Sequence, residues 1–216
     1  MRMQNIPYLT LIIWGILAIA TIFALFTARW STVFVSVTAI VMTLLPALFS
    51  ERFRIILPLG FLAAISVFVF ATLFLGEVFD FYNRFWCWDV VLHGFSAIGF
   101  GIIGFLFVFY LFEGDRYAAP PWALGLIAFA FALSIGALWE IFEFAMDRVF
   151  GLNMQKSGLL DTMWDLIVDT LGALVGASSG FFWLKGRNST LTALIEEFID
   201  KNRTLYAKLR ERMPRK

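Results

Sequence analysis

Six stretches of the chain, each of about 20 mostly apolar residues, constrain its fold more than any other feature of the sequence. A helix of this length crosses the hydrocarbon core of a bilayer. It pairs its backbone N–H and C=O groups internally, which is necessary because lipid tails offer them no hydrogen-bond partners. The first stretch has no cleavage-like site of small residues, so it is interpreted as an anchor helix and not as a signal peptide. The predicted spans are Tyr8–Ala28, Ser31–Phe49, Ile55–Leu75, Trp88–Phe112, Trp122–Met146 and Asp161–Leu184. The sequence therefore predicts an all-α polytopic membrane protein.

The composition excludes the main classes of water-soluble protein. Of the 216 residues, 61% are hydrophobic and 15% are charged, against about 45–50% and about 25% in soluble domains. A chain of this length cannot bury so much apolar material in one water-facing core. A soluble enzyme, a nucleic-acid-binding domain and a disulfide-stapled secreted domain are thereby excluded. The expected partner of most of the surface is the lipid bilayer.

The basic residues predict the orientation of the spans. Six spans place both termini on one side, where 13 of the 17 Lys and Arg residues lie, with 4 on the other. Because basic connections stay on the cytoplasmic side of a membrane, both termini are predicted to be cytoplasmic.

The chain is predicted to consist of a membrane domain, residues 1–187, and a cytoplasmic basic tail, residues 188–216. From Ser189 to Arg212 the tail has the apolar periodicity of an amphipathic helix. We interpret it as a helix on the anionic inner leaflet, with pairing to another chain as the alternative. The apolar positions are Leu191, Leu194, Ile195, Phe198, Ile199, Leu205, Tyr206 and Leu209.

Ionisable residues occur inside the last three predicted spans, at the ends that this orientation places outside the cell. At about 1.5 Å of rise per residue, they reach similar depths. Small residues continue the same helix faces toward the cytoplasm, which predicts close packing of the three helices below the acids. The ionisable residues are Asp89, His93, Glu140, Glu143, Asp147, Asp161, Asp165 and Asp169, and the small ones include Gly125, Ala132, Gly136, Gly172, Gly176 and Gly180.

Acids this close together at membrane depth, without Lys or Arg among them, stay protonated or bind a cation. Carboxylates with one imidazole suit Mg²⁺, Mn²⁺, Zn²⁺ or Fe²⁺. We therefore expect a divalent-metal site. The predicted metal ligands are His93, Glu143, Asp165 and Asp169, and the predicted catalytic bases are Glu140 and Asp89.

Three further roles are expected around this site. Asp89 lies one helical turn from His93 and is expected to set its tautomer. Asp147 and Asp161 are interpreted as solvated helix ends. The polar segment 151–157 is the predicted place for substrate contacts.

Three motifs in order also resemble a known family. They are Trp88-Asp89-x-x-x-His93-Gly94-x-Ser96, Trp139-Glu140-x-x-Glu143-x-x-x-Asp147 and Asp161-Thr162-x-x-Asp165-x-x-x-Asp169-Thr170-x-Gly172-Ala173. Over roughly residues 55–185 the chain resembles the YjdF-like bacterial inner-membrane proteins, and more distantly the VanZ-like proteins associated with glycopeptide tolerance. The resemblance implies a multi-pass protein of the bacterial cytoplasmic membrane, and it supplies no established reaction.

Three functions follow from these patterns. The first is a metal-dependent enzyme that acts on a lipid or envelope precursor at the outer leaflet. The second is a proton- or cation-coupled transporter, for which spans one to three offer a few polar residues. The third is a non-catalytic, VanZ-like tolerance factor, whose acids would form a hydrogen-bonded structural cluster. The reaction, the substrate and the oligomeric state do not follow from the sequence.

Overall fold

The computed structural model describes residues 6–112, 115, 119–204 and 206. This part of the chain is helical and contains no β-strand, which confirms the predicted all-α fold. A nine-residue π-helical segment, Phe70–Val78, continues α3. The helices are α1 (Tyr8–Phe26), α2 (Trp30–Phe53), α3 (Leu59–Val69), α4 (Phe81–Arg84), α5 (Trp88–Leu111), α6 (Pro121–Phe150), α7 (Leu159–Leu184) and α8 (Thr190–Lys201).

Six of these helices are long and apolar enough to cross a membrane, with α3 and the π-helical segment forming one span. The six predicted spans are therefore confirmed, and only their ends differ. The third begins at Leu59 and not at Ile55, because Pro58 precedes its first turn and proline disfavours helical conformation in the residue before it. The fifth continues to Phe150, where Gly151 ends the helix at a φ of 66°.

The chain divides into two compact units, Met1–Trp88 with Asp200–Asn202, and Asp89–Ile199 with Arg203–Lys216. The predicted boundary near residue 187 concerns which part of the chain lies in lipid, and it stays a prediction. In the first unit the core is formed by Ile13, Leu17, Ala39 and Phe74.

Several polar side chains of α1 to α3 form hydrogen bonds within the first unit. The hydroxyls of Thr10 and Ser66 are 2.8 Å apart, and Trp14 Nε1 donates to Thr43 Oγ1 at 2.7 Å. Ser66 and Thr43 also donate to backbone carbonyls one turn earlier in their own helices. These bonds satisfy polar groups at membrane depth and join neighbouring helices.

In the second unit, glycine brings the backbones of α5 and α7 into direct contact. A Cβ atom at Gly101 would lie 2.8 Å from the nitrogen of Ala177 and from the Cα of Gly176, and one at Gly172 would lie 2.7 Å from the oxygen of Gly94. These neighbours are backbone atoms, which cannot rotate away as a side chain can. Such contacts are typical of helix pairs in membranes that approach through small residues, as the stripe of Gly172, Gly176 and Gly180 predicts.

The tail helix α8 has an apolar face that protein covers. Ser189 Oγ accepts from the backbone nitrogen of Thr192 and thereby caps the first turn. Ile195 and Phe198 are buried, and Trp183 Nε1 donates to Glu196. The amphipathic pattern favours lipid as the partner of this face, whereas the structure buries Ile195 and Phe198 against protein. Leu205, Leu209 and Arg212 lie outside the described residues.

The contact between α5 and α7 predicts a difference between two glycines of one helix. Gly101→Ala should lower the stability by about 1–3 kcal/mol, because its methyl group meets immovable backbone. Gly99→Ala is the matched control, since nothing lies within 4 Å of its added Cβ and alanine favours a helix. Thermal unfolding in detergent, followed by tryptophan fluorescence, measures both. Equal melting temperatures of the two variants would contradict the packing described here.

Candidate metal centre

The ionisable residues of the second unit converge where the first turns of α5 and α7 meet the last turns of α6. Asp89 and His93 come from α5, Glu140 from α6, and Asp165 and Asp169 from α7. His93, Glu140, Asp165 and Asp169 are each at least 92% buried. The residues that the sequence predicted to share a depth are thus brought together by the packing of three helices.

His93 is oriented by Asp169. Its Nδ1 lies 3.3 Å from both carboxylate oxygens of Asp169. Because an ionised carboxylate only accepts hydrogen bonds, Nδ1 carries the hydrogen and donates it. The opposite nitrogen, Nε2, faces Asp89 and Glu140 at 3.9 Å each. A histidine held in this way presents Nε2 as a potential metal ligand, as in carboxylate–histidine–metal arrangements.

The two ring nitrogens of His93 face different acids. The sequence predicts that Asp89 sets the tautomer of His93 and that Asp169 is a metal ligand, and both roles stay predictions. In the structure Asp169 contacts the orienting nitrogen, and Asp89 lies on the side of Nε2. Helix periodicity placed both acids near His93 but could not say which ring nitrogen each would face.

Glu140 is the most unusual acid of the cluster. It is 4% exposed, and neither of its carboxylate oxygens has a hydrogen-bond partner among the described residues. The Thr162 hydroxyl lies in its vicinity, but the geometry falls short of a hydrogen bond. Leaving a buried carboxylate without donors is unfavourable by several kcal/mol unless a cation compensates it.

Two groups of side chains have the spacing of metal ligands. One is His93, Glu140 and Asp165; the other is Asp89, Asp161 and Asp165. In each group, one ligand atom per residue lies within 4.8 Å of the others. With bonds of about 2.1 Å, neighbouring ligand atoms are about 3.4 Å apart around a tetrahedral Zn²⁺ and about 3.0 Å apart around an octahedral Mg²⁺. Side-chain movements of up to about one ångström would thus close either group around an ion.

Glu143, also expected as a ligand, is in neither group. It is 7% exposed, and its Oε1 accepts a hydrogen bond of 2.9 Å from Trp139 Nε1. Its carboxylate therefore has a donor within its own helix, which Glu140 lacks.

The segment between α6 and α7 is fixed at the solvent-accessible end of the cluster. Asp147 accepts hydrogen bonds from the backbone nitrogens of Met154 and Gln155 at 2.7 and 2.9 Å. Asp161 accepts one from the nitrogen of Lys156 at 3.1 Å. These two acids, interpreted as solvated helix ends, thus also hold the connecting segment in place.

This segment also carries a positively charged side chain, Lys156, whose place near the site does not follow from the sequence. The charge of Lys156 acts on Asp89, whose side chain is 25% exposed. The polarity of residues 151–157 predicts substrate contacts for the segment as a whole. Helical periodicity does not apply to a loop, so the sequence could not predict that Lys156 in particular would lie near Asp89.

Gly136 lets α6 approach Asp169. A Cβ atom at this position would collide with the Asp169 carboxylate, whereas one at Gly125, on the same helix, would have its nearest neighbour at 3.8 Å. The absence of a side chain at Gly136 thus permits Asp169 to reach His93.

Comparisons with known proteins agree with the membrane fold and supply no activity. A family model described as "Predicted membrane protein (DUF2238)" matches residues 9–186. An uncharacterized protein of Thermotoga maritima is 32% identical over 122 residues, which are 53% of this chain and 62% of that protein. The match thus covers less than two thirds of the relative. No solved structure matches the chain. The YjdF-like resemblance fits this family, and the more distant VanZ-like resemblance stays a prediction.

The two glycines of α6 allow a test of how His93 is held. The chain has one histidine, so ¹⁵N-histidine labelling gives the signals of a single ring. Gly136→Ala should shift the Nδ1 resonance, because the new methyl group displaces Asp169, and Gly125→Ala should leave it unchanged. An unshifted Nδ1 signal in folded Gly136→Ala protein would show that the contact of Asp169 with His93 does not depend on the missing side chain at position 136.

Proposed function

Since the chain belongs to the DUF2238 family of predicted membrane proteins, whose description names no activity, we propose from the site itself that the protein is a divalent-metal-dependent membrane enzyme. Its substrate is a lipid or envelope precursor. The observation that carries this proposal is Glu140, a buried carboxylate to which no described residue donates a hydrogen bond. It lies beside the Nε2 of an oriented histidine.

The residues divide into three roles. His93, Glu140 and Asp165 hold the ion, which is Mg²⁺, Mn²⁺, Zn²⁺ or Fe²⁺ by the chemistry of these donors. Asp169 positions His93. Asp89, which is closer to solvent than Glu140, accepts the proton of the attacking water or hydroxyl. When bound, the ion supplies Lewis acidity and lowers the pKa of a coordinated water.

The length of α6 supports a site near the lipid headgroups. Trp122, at the beginning of α6, is 64% exposed, as befits a tryptophan at the edge of the bilayer. A hydrocarbon core of about 30 Å corresponds to about 20 helical residues. The opposite boundary then falls near Phe142, between Glu140 and Glu143. At this depth the acids can contact the polar headgroup of a lipid while that headgroup stays outside the hydrocarbon core.

The packing below the site favours an enzyme over a transporter. A transport pathway would continue from the acids toward the other side of the membrane. Between α5 and α7, however, Gly101 contacts the backbone at Gly176 and Ala177 so closely that even a methyl group lacks space. Water or an ion does not pass between these two helices.

The location follows from the same considerations. We place the protein in the bacterial cytoplasmic membrane with both termini in the cytoplasm, because of the excess of basic residues on that side. The metal centre then opens to the extracytoplasmic side, where envelope precursors are processed.

Metal binding is the first consequence to be measured. Purified protein should bind Mn²⁺ in calorimetric titration, and both His93→Ala and Glu140→Gln should weaken binding at least tenfold. Glu143→Gln is the matched control, because this acid lies on the same helix and is bonded to Trp139 instead. Folding of each variant is checked by its thermal transition. If the folded wild-type protein binds no Mn²⁺ or Zn²⁺, the proposal is wrong.

Activity and orientation are tested together in right-side-out vesicles from the producing bacterium. Mass spectrometry of the envelope lipids should reveal a product that requires added metal and is absent with Glu140→Gln. The chelator EDTA, which does not cross a bilayer, should stop the reaction when added outside. Accumulation of Mn²⁺ inside the vesicles without any lipid product would instead identify a transporter. A reaction that external EDTA leaves untouched would contradict the outward-facing site.

A further inference from the structure

Asp165 belongs to both groups of potential ligands. One of its oxygens lies within 4.8 Å of ligand atoms of His93 and Glu140, and an oxygen of the same carboxylate lies within 4.8 Å of Asp89 and Asp161. We call the set of His93, Glu140 and Asp165 the inner group, and the set of Asp89, Asp161 and Asp165 the outer group. The residues of the inner group are buried, whereas Asp89 and Asp161 are partly exposed.

Asp165 is a second deeply buried acid for which the described part of the chain shows no hydrogen-bond donor. It is 2% exposed, and no described residue gives its carboxylate a hydrogen bond. The other acids at this end of the unit differ, since Asp147, Asp161, Glu143 and Asp169 each accept at least one hydrogen bond. Both oxygens of Asp165 therefore remain available, and its burial demands positive charge near them.

Two divalent ions would balance the summed charge of the two ligand groups, Asp169 and Lys156, whereas one would not. The two groups and Asp169 contribute five carboxylates, and Lys156 contributes one positive charge at the exposed end. A single divalent ion leaves a net charge of about −2 if His93 is neutral, and this charge would repel an anionic substrate. With a second divalent ion, the summed charge of the five carboxylates, Lys156 and both ions would be about zero.

We propose that Asp165 bridges two divalent cations, an inner one held by His93 and Glu140 and an outer one held by one oxygen each of Asp89 and Asp161. The second oxygen of Asp89 then stays available to accept the proton of the attacking water or hydroxyl. This inference rests on the proposed metal-dependent function and specifies its substrate class. Ions that share a carboxylate lie about 3.5–4 Å apart, a spacing that clamps the oxygens of a phosphoryl group during in-line displacement. The substrate is therefore a lipid that carries a phosphate ester or phosphoanhydride, with Lys156 at the mouth as a further contact for its phosphate.

The two ions differ in how firmly they are held. The inner ion has a nitrogen ligand whose orientation Asp169 fixes, and its surroundings are buried. The outer ion has partly exposed ligands, and one oxygen of Asp161 is already occupied by the backbone nitrogen of Lys156. The outer ion is therefore the weaker and more readily exchanged one.

Mn²⁺ tests the pair, because two neighbouring Mn²⁺ ions give an exchange-coupled electron paramagnetic resonance spectrum. Wild-type protein should bind two ions per chain and show the coupled spectrum. Asp161→Asn should bind one ion with the spectrum of isolated Mn²⁺, while the affinity of the inner site changes less than threefold. Asp89→Asn should behave in the same way and provides a second variant in case the first one unfolds. Glu143→Gln is the control that should keep both ions.

The outcomes separate the two proposals. Two coupled ions in the wild-type protein, reduced to one in either outer variant, support the bridge. One ion in the wild-type protein overturns the bridge and leaves the proposed function intact. No bound ion overturns both. Two coupled ions that persist in both outer variants overturn the assignment of Asp89 and Asp161.

Discussion

The close contact between α5 and α7 is the constraint on which the rest of the second unit depends. Lipid gives two helices no hydrophobic reason to associate, so membrane helices are held by close packing and by polar contacts between them. Here both occur on one pair of faces. Gly101 and Gly172 let the backbones meet, and one to two turns above them Asp169 reaches the Nδ1 of His93. The packing makes the polar contact possible, and the polar contact adds an attraction that lipid cannot replace.

Much of this could be predicted from the sequence, because membrane helices follow simple rules. Hydropathy identified all six spans, and a period of 3.6 residues placed Asp165 and Asp169 on the face that carries Gly172 and Gly176. The ends of the spans were less predictable where a local residue decided them, as Pro58 does for α3. The sequence also could not predict that protein covers the apolar face of α8, since amphipathic periodicity is the same whether lipid or protein lies against that face.

The roles of individual acids could not be predicted, because they depend on rotamers and on neighbours distant in sequence. Glu140 and Glu143 are one turn apart, and nothing in their spacing shows that Trp139 would bond one of them and leave the other without a donor. Likewise, periodicity cannot distinguish the two nitrogens of an imidazole ring, so it could not show that Asp169 would face Nδ1 and Asp89 would face Nε2.

The alternative that the acids merely stabilise the fold can be judged within the chain itself. Structural acids are bonded, and this protein shows what that looks like: Asp147 accepts two backbone hydrogen bonds, and Glu143 accepts one from an indole. Glu140 and Asp165 are more deeply buried than either of these acids, and the described residues give them no such donors. A protein that needed only stability would gain by replacing these two with apolar residues of similar volume. The proposed cation therefore explains the presence of these two acids beside the Nε2 of His93 better than a purely structural role does.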